Sequence, residues 1–276
     1  MSEASDFRAA DFSHPIFDPL RPALEALAPR DGWPSLERLN ALAERMALRT
    51  ASRHAVRFVA PPGGTPGYEI LIHDTGCVPT RARNWHDLFN ALVWLAFPRS
   101  KAALNALHVA EMPGEGGRRG RVRDLLTLLD EGGVLVAHAD DAVPALVREF
   151  RWKELFWGRR ASVTRGMRLA VIGHAVLEKA LRPWPGVTCK ALFFRVPAEL
   201  IAAPAVELAR ELDWRAADWL LAHAPRCTAR EVPPLPIFGF PDWYPGNEHS
   251  EFYDDTRYFR PFRRAPSGAA DASRIG

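Results

Sequence analysis

The sequence predicts an α+β fold. A small mixed or antiparallel sheet packs against several helices in a single domain, and an extended aromatic strap closes the chain. Three observations predict this. Trp85 to Phe97 runs without glycine or proline and is apolar nearly all round, the pattern of a buried helix. Short apolar stretches, of which Val187–Val196 is the clearest, are bounded by Gly- and Pro-rich punctuation and read as strands. From Pro233 onward the chain mixes prolines, glycines and aromatics in a way that forbids a long helix. The globular part is expected over 14–264, with disordered tails at 1–13 and 265–276.

The remaining elements follow in chain order. Residues 19–28 and 35–48 read as two helices. The second is capped by Ser35 and carries Leu36, Leu39, Leu42, Ala43 and Met46 at helical spacing. Residues 56–59 and 68–73 read as short strands joined by the loop PPGGTPG. Asn84 is placed to cap the Trp85–Phe97 helix, with Asp87 at the capping-box position, and Pro98 ends it. Ser100 then looks like the cap of a second helix. The stretch 112–123, MPGEGGRRGRVR, reads as a flexible basic loop. Residues 125–129 and 134–138 flank Asp130-Glu131-Gly132-Gly133 and read as a hairpin. Helices are expected over 140–150 and from 152 to 157, and a strand at 169–172. A helix opened by Gly173-His174 runs through Leu181, and a long helix over 197–222 is interrupted by Pro204.

Composition sets bounds on function. The 276 residues are 47% hydrophobic, enough for a substantial core, and the longest apolar run, Ala91–Phe97, is far short of a membrane span. No membrane partner is expected. The start, MSEASDFRAADF, lacks the basic and apolar regions of a secretory signal. Cys77, Cys189 and Cys227 form no C-x-x-C pair, which argues against a disulfide framework or a cysteine-built zinc site. A cytoplasmic location is the expectation. A net charge of +3 suits anionic ligands, falls short of a dedicated DNA binder, and leaves nucleic acid open as a partner. The phosphate-binding loop, the dinucleotide fingerprint, the nucleophile elbow and H-E-x-x-H are all missing from the sequence.

Chemistry concentrates between Arg81 and His108. His86, Asp87 and Asn90 form the only polar wedge on the buried helix, and Lys101, Asn105 and His108 stack at spacings of three and four. A short connection favours antiparallel helices, so wedge and stripe are expected to face one pocket, with Arg81, Arg83 and Arg99 near its rim. In an enzyme acting on a small anionic or phosphate-bearing substrate, His86 or His108 serves as general acid or base. Asp87 orients an imidazole or binds a metal. Asn84, Asn90, Asn105 and His174 position the substrate, and Arg83, Arg99 and Lys101 hold its anion. His174 and Glu178 lie one helical turn apart, a spacing that suits a metal or an acid–base couple. A divalent metal is therefore an open expectation, and a metal-dependent hydrolase or nuclease is one version of the enzyme reading. His73-Asp74 and the acids and His249 of the strap offer further donors without a metal-site spacing. The alternative is a non-catalytic binding or scaffold protein in which the polar cluster only ties helices together.

Five segments carry a family resemblance: NWHDLFNALVWLAFPRSKAALNALH, RDLLTLLDEGGVLVA, WKELFWGRR, IGHAVLEKAL and PIFGFPDWYPGNEHSEFYDDTRYFRP. With them most of the chain resembles the proteobacterial family known as domain of unknown function 3025. The resemblance implies no established activity and no catalytic residues.

Overall fold

The computed structural model describes residues 7–28, 32–64, 67–112 and 120–262. Helices α1 (Arg21–Leu27) and α2 (Leu36–Arg45) lead to strand β1 (Arg57–Val59), helix α3 (Tyr68–Thr75) and strand β2 (Cys77–Pro79). Two long helices follow, α4 (Trp85–Ala96) and α5 (Pro98–Glu111), then α6 (Arg121–Gly132), which runs directly into β3 (Gly133–His138). Helices α7 (Ala142–Arg148) and α8 (Arg160–Gly166) precede β4 (Met167–Val171), α9 (His174–Lys179) and β5 (Thr188–Arg195). Helices α10 (Ala198–Ala202) and α11 (Ala205–His223) and strand β6 (Pro234–Pro236) complete the regular elements, and 3-10 turns continue to Asp254.

The main sheet has the order β4-β3-β5-β6. Strand β3 is antiparallel to β4 and parallel to β5, while β5 is antiparallel to β6, so the sheet is mixed. All six residues of β3 are buried, as befits a central strand covered on both faces. One continuous core joins this sheet to α4, whose Phe89, Leu92 and Val93 are fully buried. No helix among the described residues is long and apolar enough to cross a membrane.

The α+β architecture matches the expectation, and several elements differ from it. Residues 68–73 form helix α3 instead of a strand; Gly76 stops it in the left-handed region at φ 74°, where a Cβ would lie 2.2 Å from the Ala55 carbonyl oxygen. Residues 125–129 belong to helix α6, so there is no hairpin around Asp130–Gly133. Leu125, Leu126 and Leu129 are its buried residues, a helical spacing of a residue type that is not β-branched. The segment 57–59 pairs in parallel with 77–79 in a separate two-stranded sheet. Ser100 does not cap α5. That helix starts at Pro98, and the carboxylate of Asp213 on α11 accepts the backbone N–H groups of Arg99 and Ser100, at 3.0 and 2.8 Å. The chain before residue 14, expected to be disordered, is packed from Phe7, whose buried ring stacks on Trp85. Of the expected basic loop, 113–119 lies outside the described residues, as does the expected tail at 265–276.

The strap is held by buried hydrogen bonds. Asn247 Nδ2 donates to the carbonyls of Phe238 and Phe240, and the Tyr258 hydroxyl donates to Val187 O while accepting from Phe238 N. Asp242 and Asp254 pair with Arg160 and Lys153. Its polar groups thus staple the strap, and among the described residues they form no cluster of three metal ligands.

One close approach positions the site. Gly173, the residue before α9, donates from N to Gly133 O at 2.9 Å, and a Cβ on it would lie 2.5 Å from Gly132 Cα. Only glycine lets the start of α9 touch the α6–β3 junction this closely. Gly173→Ala is expected to lower stability by about 1–3 kcal/mol, as overpacking against backbone does. Urea unfolding measures this, and an unchanged midpoint would show that the contact has room to relax.

Candidate functional site

Three helices bring two imidazoles and a carboxylate together. His86 comes from the first turn of α4, Glu131 from the last turn of α6, and His174 from the first residue of α9. His86 Nε2 and His174 Nε2 are 3.0 Å apart with the rings at 72°. Glu131 Oε1 lies 3.9 Å from the first and 3.6 Å from the second. A point equidistant from three atoms so spaced is about 2 Å from each, the length of a zinc–nitrogen or zinc–oxygen bond. These are the only three described residues that meet as a group of metal-capable donors.

The other ring nitrogens face acids. His86 Nδ1 is 3.3 Å from Glu178 Oε2, and His174 Nδ1 is 3.7 Å from Asp130 Oδ2. With the proton on Nδ1 of both rings, each Nε2 would turn a lone pair toward the other. Two lone pairs at hydrogen-bond distance repel unless a cation lies between them. Burial, helped by the nearby charges of Lys101 and His86, pushes His174 down to about 4 against the pull of Asp130, which keeps this ring neutral near pH 7.

Behind the cluster runs a buried polar chain. Lys101 of α5 donates to Asp130 and, at 2.8 Å, to Asn90 Oδ1 on α4; Asn90 Nδ2 donates to the Tyr68 hydroxyl at 2.8 Å. Burial alone would raise Asp130, yet the charge and the hydrogen bond of Lys101 hold it below the usual carboxylate range. Glu69 is pushed up, by burial first and by Asp130 second, although Asn105 Nδ2 donates to it at 2.7 Å. Glu131 is likewise raised by burial, with Asp130 adding to the effect and His86 opposing it.

This assembly forms the wall of a cavity of about 410 Å³. The expected wedge and stripe do meet: His86, Asp87, Asn90, His108 and His174 line the cavity, and Lys101 and Asn105 sit beneath it with Asp130 and Glu69. Arg81 is at the rim and holds Asp87 in a fork, Nε to Oδ2 and Nη2 to Oδ1, both at 2.9 Å. Those bonds outweigh burial and keep Asp87 below its ordinary range, so its carboxylate serves Arg81 and does not orient an imidazole. Asn84 caps α4 through Asp87 N at 3.0 Å. Neither Asn84 nor Arg83, an exposed residue at φ 55°, lines the cavity. Arg99 is elsewhere, its guanidinium over the Trp214 ring.

Glu131, Asp130, Glu69 and Arg123 were not among the candidates. The first two were hidden by the hairpin reading and Glu69 by the strand reading. A signal did exist: two adjacent acids in the last turn of a helix oppose its dipole, an arrangement that stability alone does not favour. Glu178 was paired with His174 by spacing, whereas its carboxylate reaches His86.

The structure therefore defines an α+β protein with a histidine–carboxylate centre in a polar cavity. The chain belongs to the family described as "Protein of unknown function (DUF3025)", which matches residues 56–263 and so contains every residue of this centre. No curated protein and no solved structure matches the chain.

The Lys101–Asp130 pair gives the first test of the site's construction. Lys101→Met leaves a carboxylate buried without its counter-charge and is expected to cost about 3–5 kcal/mol, whereas Lys101→Met with Asp130→Leu recovers most of that loss. A double-mutant cycle by chemical denaturation measures both. A loss in the double variant equal to the sum of the Lys101→Met and Asp130→Leu losses would show that the pair contributes no coupling.

Proposed function

We propose that the protein is a metal-dependent hydrolase of small anionic substrates, with His86, His174 and Glu131 holding one divalent transition-metal ion. The observation that carries this reading is the convergence of two imidazole nitrogens and a carboxylate oxygen around one point about 2 Å from each, with a second acid near the outer nitrogen of each ring. Carboxylate-backed histidines are the usual outer support of a metal ligand, because the acid fixes the tautomer and raises the basicity of the ring. Two histidines and one acid leave a coordination position open, as catalytic sites do. An ion so held lowers the pKa of bound water to about 7 and polarises a phosphoryl or carbonyl oxygen.

The chain's own groups supply the rest. Arg81 and Arg123 line the cavity and attract an anion. Asp87 is spent on Arg81 and Asp130 on Lys101, so a dication on Glu131 leaves the cavity positive on balance. Glu178 orients His86, Asp130 lies 3.7 Å from His174 Nδ1, and the Gly173 contact holds α9 against α6. A second reading draws on the same nitrogen–nitrogen contact: a proton shared between His86 and His174 would make them a metal-free acid–base pair.

Metal titration of the purified, chelator-treated chain separates these readings. One equivalent of Zn²⁺ or Co²⁺ is expected to bind and raise the melting temperature, with Co²⁺ giving the visible absorption of a low-coordinate site. His174→Ala removes the binding, and Glu178→Gln weakens it by about 10–100-fold. No stoichiometric binding would eliminate the metal centre, and loss of fold in His86→Ala with no response to metal would favour the scaffold role. Turnover of phosphate and carboxylate esters by the metal-loaded protein, absent in His174→Ala, is the expected activity. A metal-loaded protein inert toward both ester classes would retain the centre and refute the hydrolase.

A further inference from the structure

A second cavity, of about 560 Å³, shares no lining residue with the histidine cavity. It is lined by α1, α2, the junction of α4 and α5, and α11, and is open to solvent on one side. Short side chains make the space: Pro22, Ala23 and Ala26 of α1, Ala96 of α4 and Ala209 of α11. Met46, Val206 and Trp214 also line it and are 50%, 38% and 48% exposed, large apolar groups left facing solvent. Three arginines from three helices share the same lining: Arg45 of α2, Arg99 of α5 and Arg210 of α11. All three residues are exposed, and among the described residues none has an ion pair. The Arg99 guanidinium sits 3.1 Å from the Trp214 ring centroid, which fixes its direction. Among the described residues the only acid in the lining, Asp213, is 3% exposed and already accepts the N–H groups of Arg99 and Ser100.

We infer that this cavity binds an amphipathic anion: a linear apolar chain of the fatty-acid class with its single terminal charge among Arg45, Arg99 and Arg210. The apolar walls accept the chain, the volume is that of a small-molecule site, and three arginines against one acid select a negative end. A helical segment of a partner is about 10 Å across and needs an open trough. Walls on five helices leave a space of about 560 Å³, which suits a slimmer guest.

Calorimetric titration with dodecanoate, kept below its micelle concentration, tests the assignment on the full chain. Saturable binding of one dodecanoate per chain is expected, with none for acetate, which lacks the tail, or for dodecyltrimethylammonium, which reverses the charge. Arg45→Ala and Arg210→Ala each weaken binding about tenfold. Ala26→Trp, an exposed position in the lining, fills the space and abolishes binding. His174→Ala binds as the parent does, which separates this site from the metal centre. Circular-dichroism melting of the Arg45, Arg210 and Ala26 variants verifies that they fold. Absence of saturable binding, equal binding of the cationic amphiphile, or undiminished affinity in Ala26→Trp overturns the assignment. So does an acidic amphipathic peptide that binds where dodecanoate does not.

Discussion

The buried pairing of Lys101 with Asp130 is the constraint on which the functional half of the molecule depends. It joins α5 to α6, and through Asn90 and His174 it reaches α4 and α9. An unpaired charge at either position would be costly in so dry a place. The four helices must therefore meet in the one arrangement that keeps every member of the chain from Tyr68 to His174 close to a partner. The same arrangement turns His86, Glu131 and His174 toward a common point.

This region is organised at some expense to stability. Asp130 and Glu131 sit at the negative end of a helix, His174 Nδ1 and Asn105 Oδ1 lie buried without a hydrogen bond, and burial raises two carboxyls above their ordinary range. A chain selected for stability alone would place apolar residues here. The rest of the core does so, from the aromatic cluster of Phe7, Phe12, Phe17, Trp85 and Phe89 to the wholly buried strand β3. The contrast between an apolar core and a buried cluster of ionisable groups is what separates the cavity from ordinary packing.

Helix α5 serves the two cavities through different residues. His108 reaches the histidine cavity, with Lys101 and Asn105 just beneath it, while Pro98 and Arg99 form part of the apolar cavity. Its N-terminus is capped from α11 by Asp213, a residue 113 positions away from Ser100. One carboxylate thus caps the start of a helix and fixes the approach of α11.

The sequence by itself determined what short-range patterns can carry. The cap at Asn84, the stop at Pro98, the nearly all-apolar face of α4 and the polar wedge of His86, Asp87 and Asn90 were all legible, because helix periodicity and capping are local. Elements whose local signal was divided were not. Tyr68–Thr75 and Leu125–Leu129 are apolar runs short enough to suit a strand or a helix, and packing against α5 and the sheet chose the helix. Only the tertiary structure decided that Glu131 faces His174, that Glu178 serves His86, that Asp87 is spent on Arg81 and that Arg99 belongs to another cavity. Those partnerships join residues up to 114 positions apart, and side-chain direction across such distances is set by how helices dock, a quantity no sequence window contains.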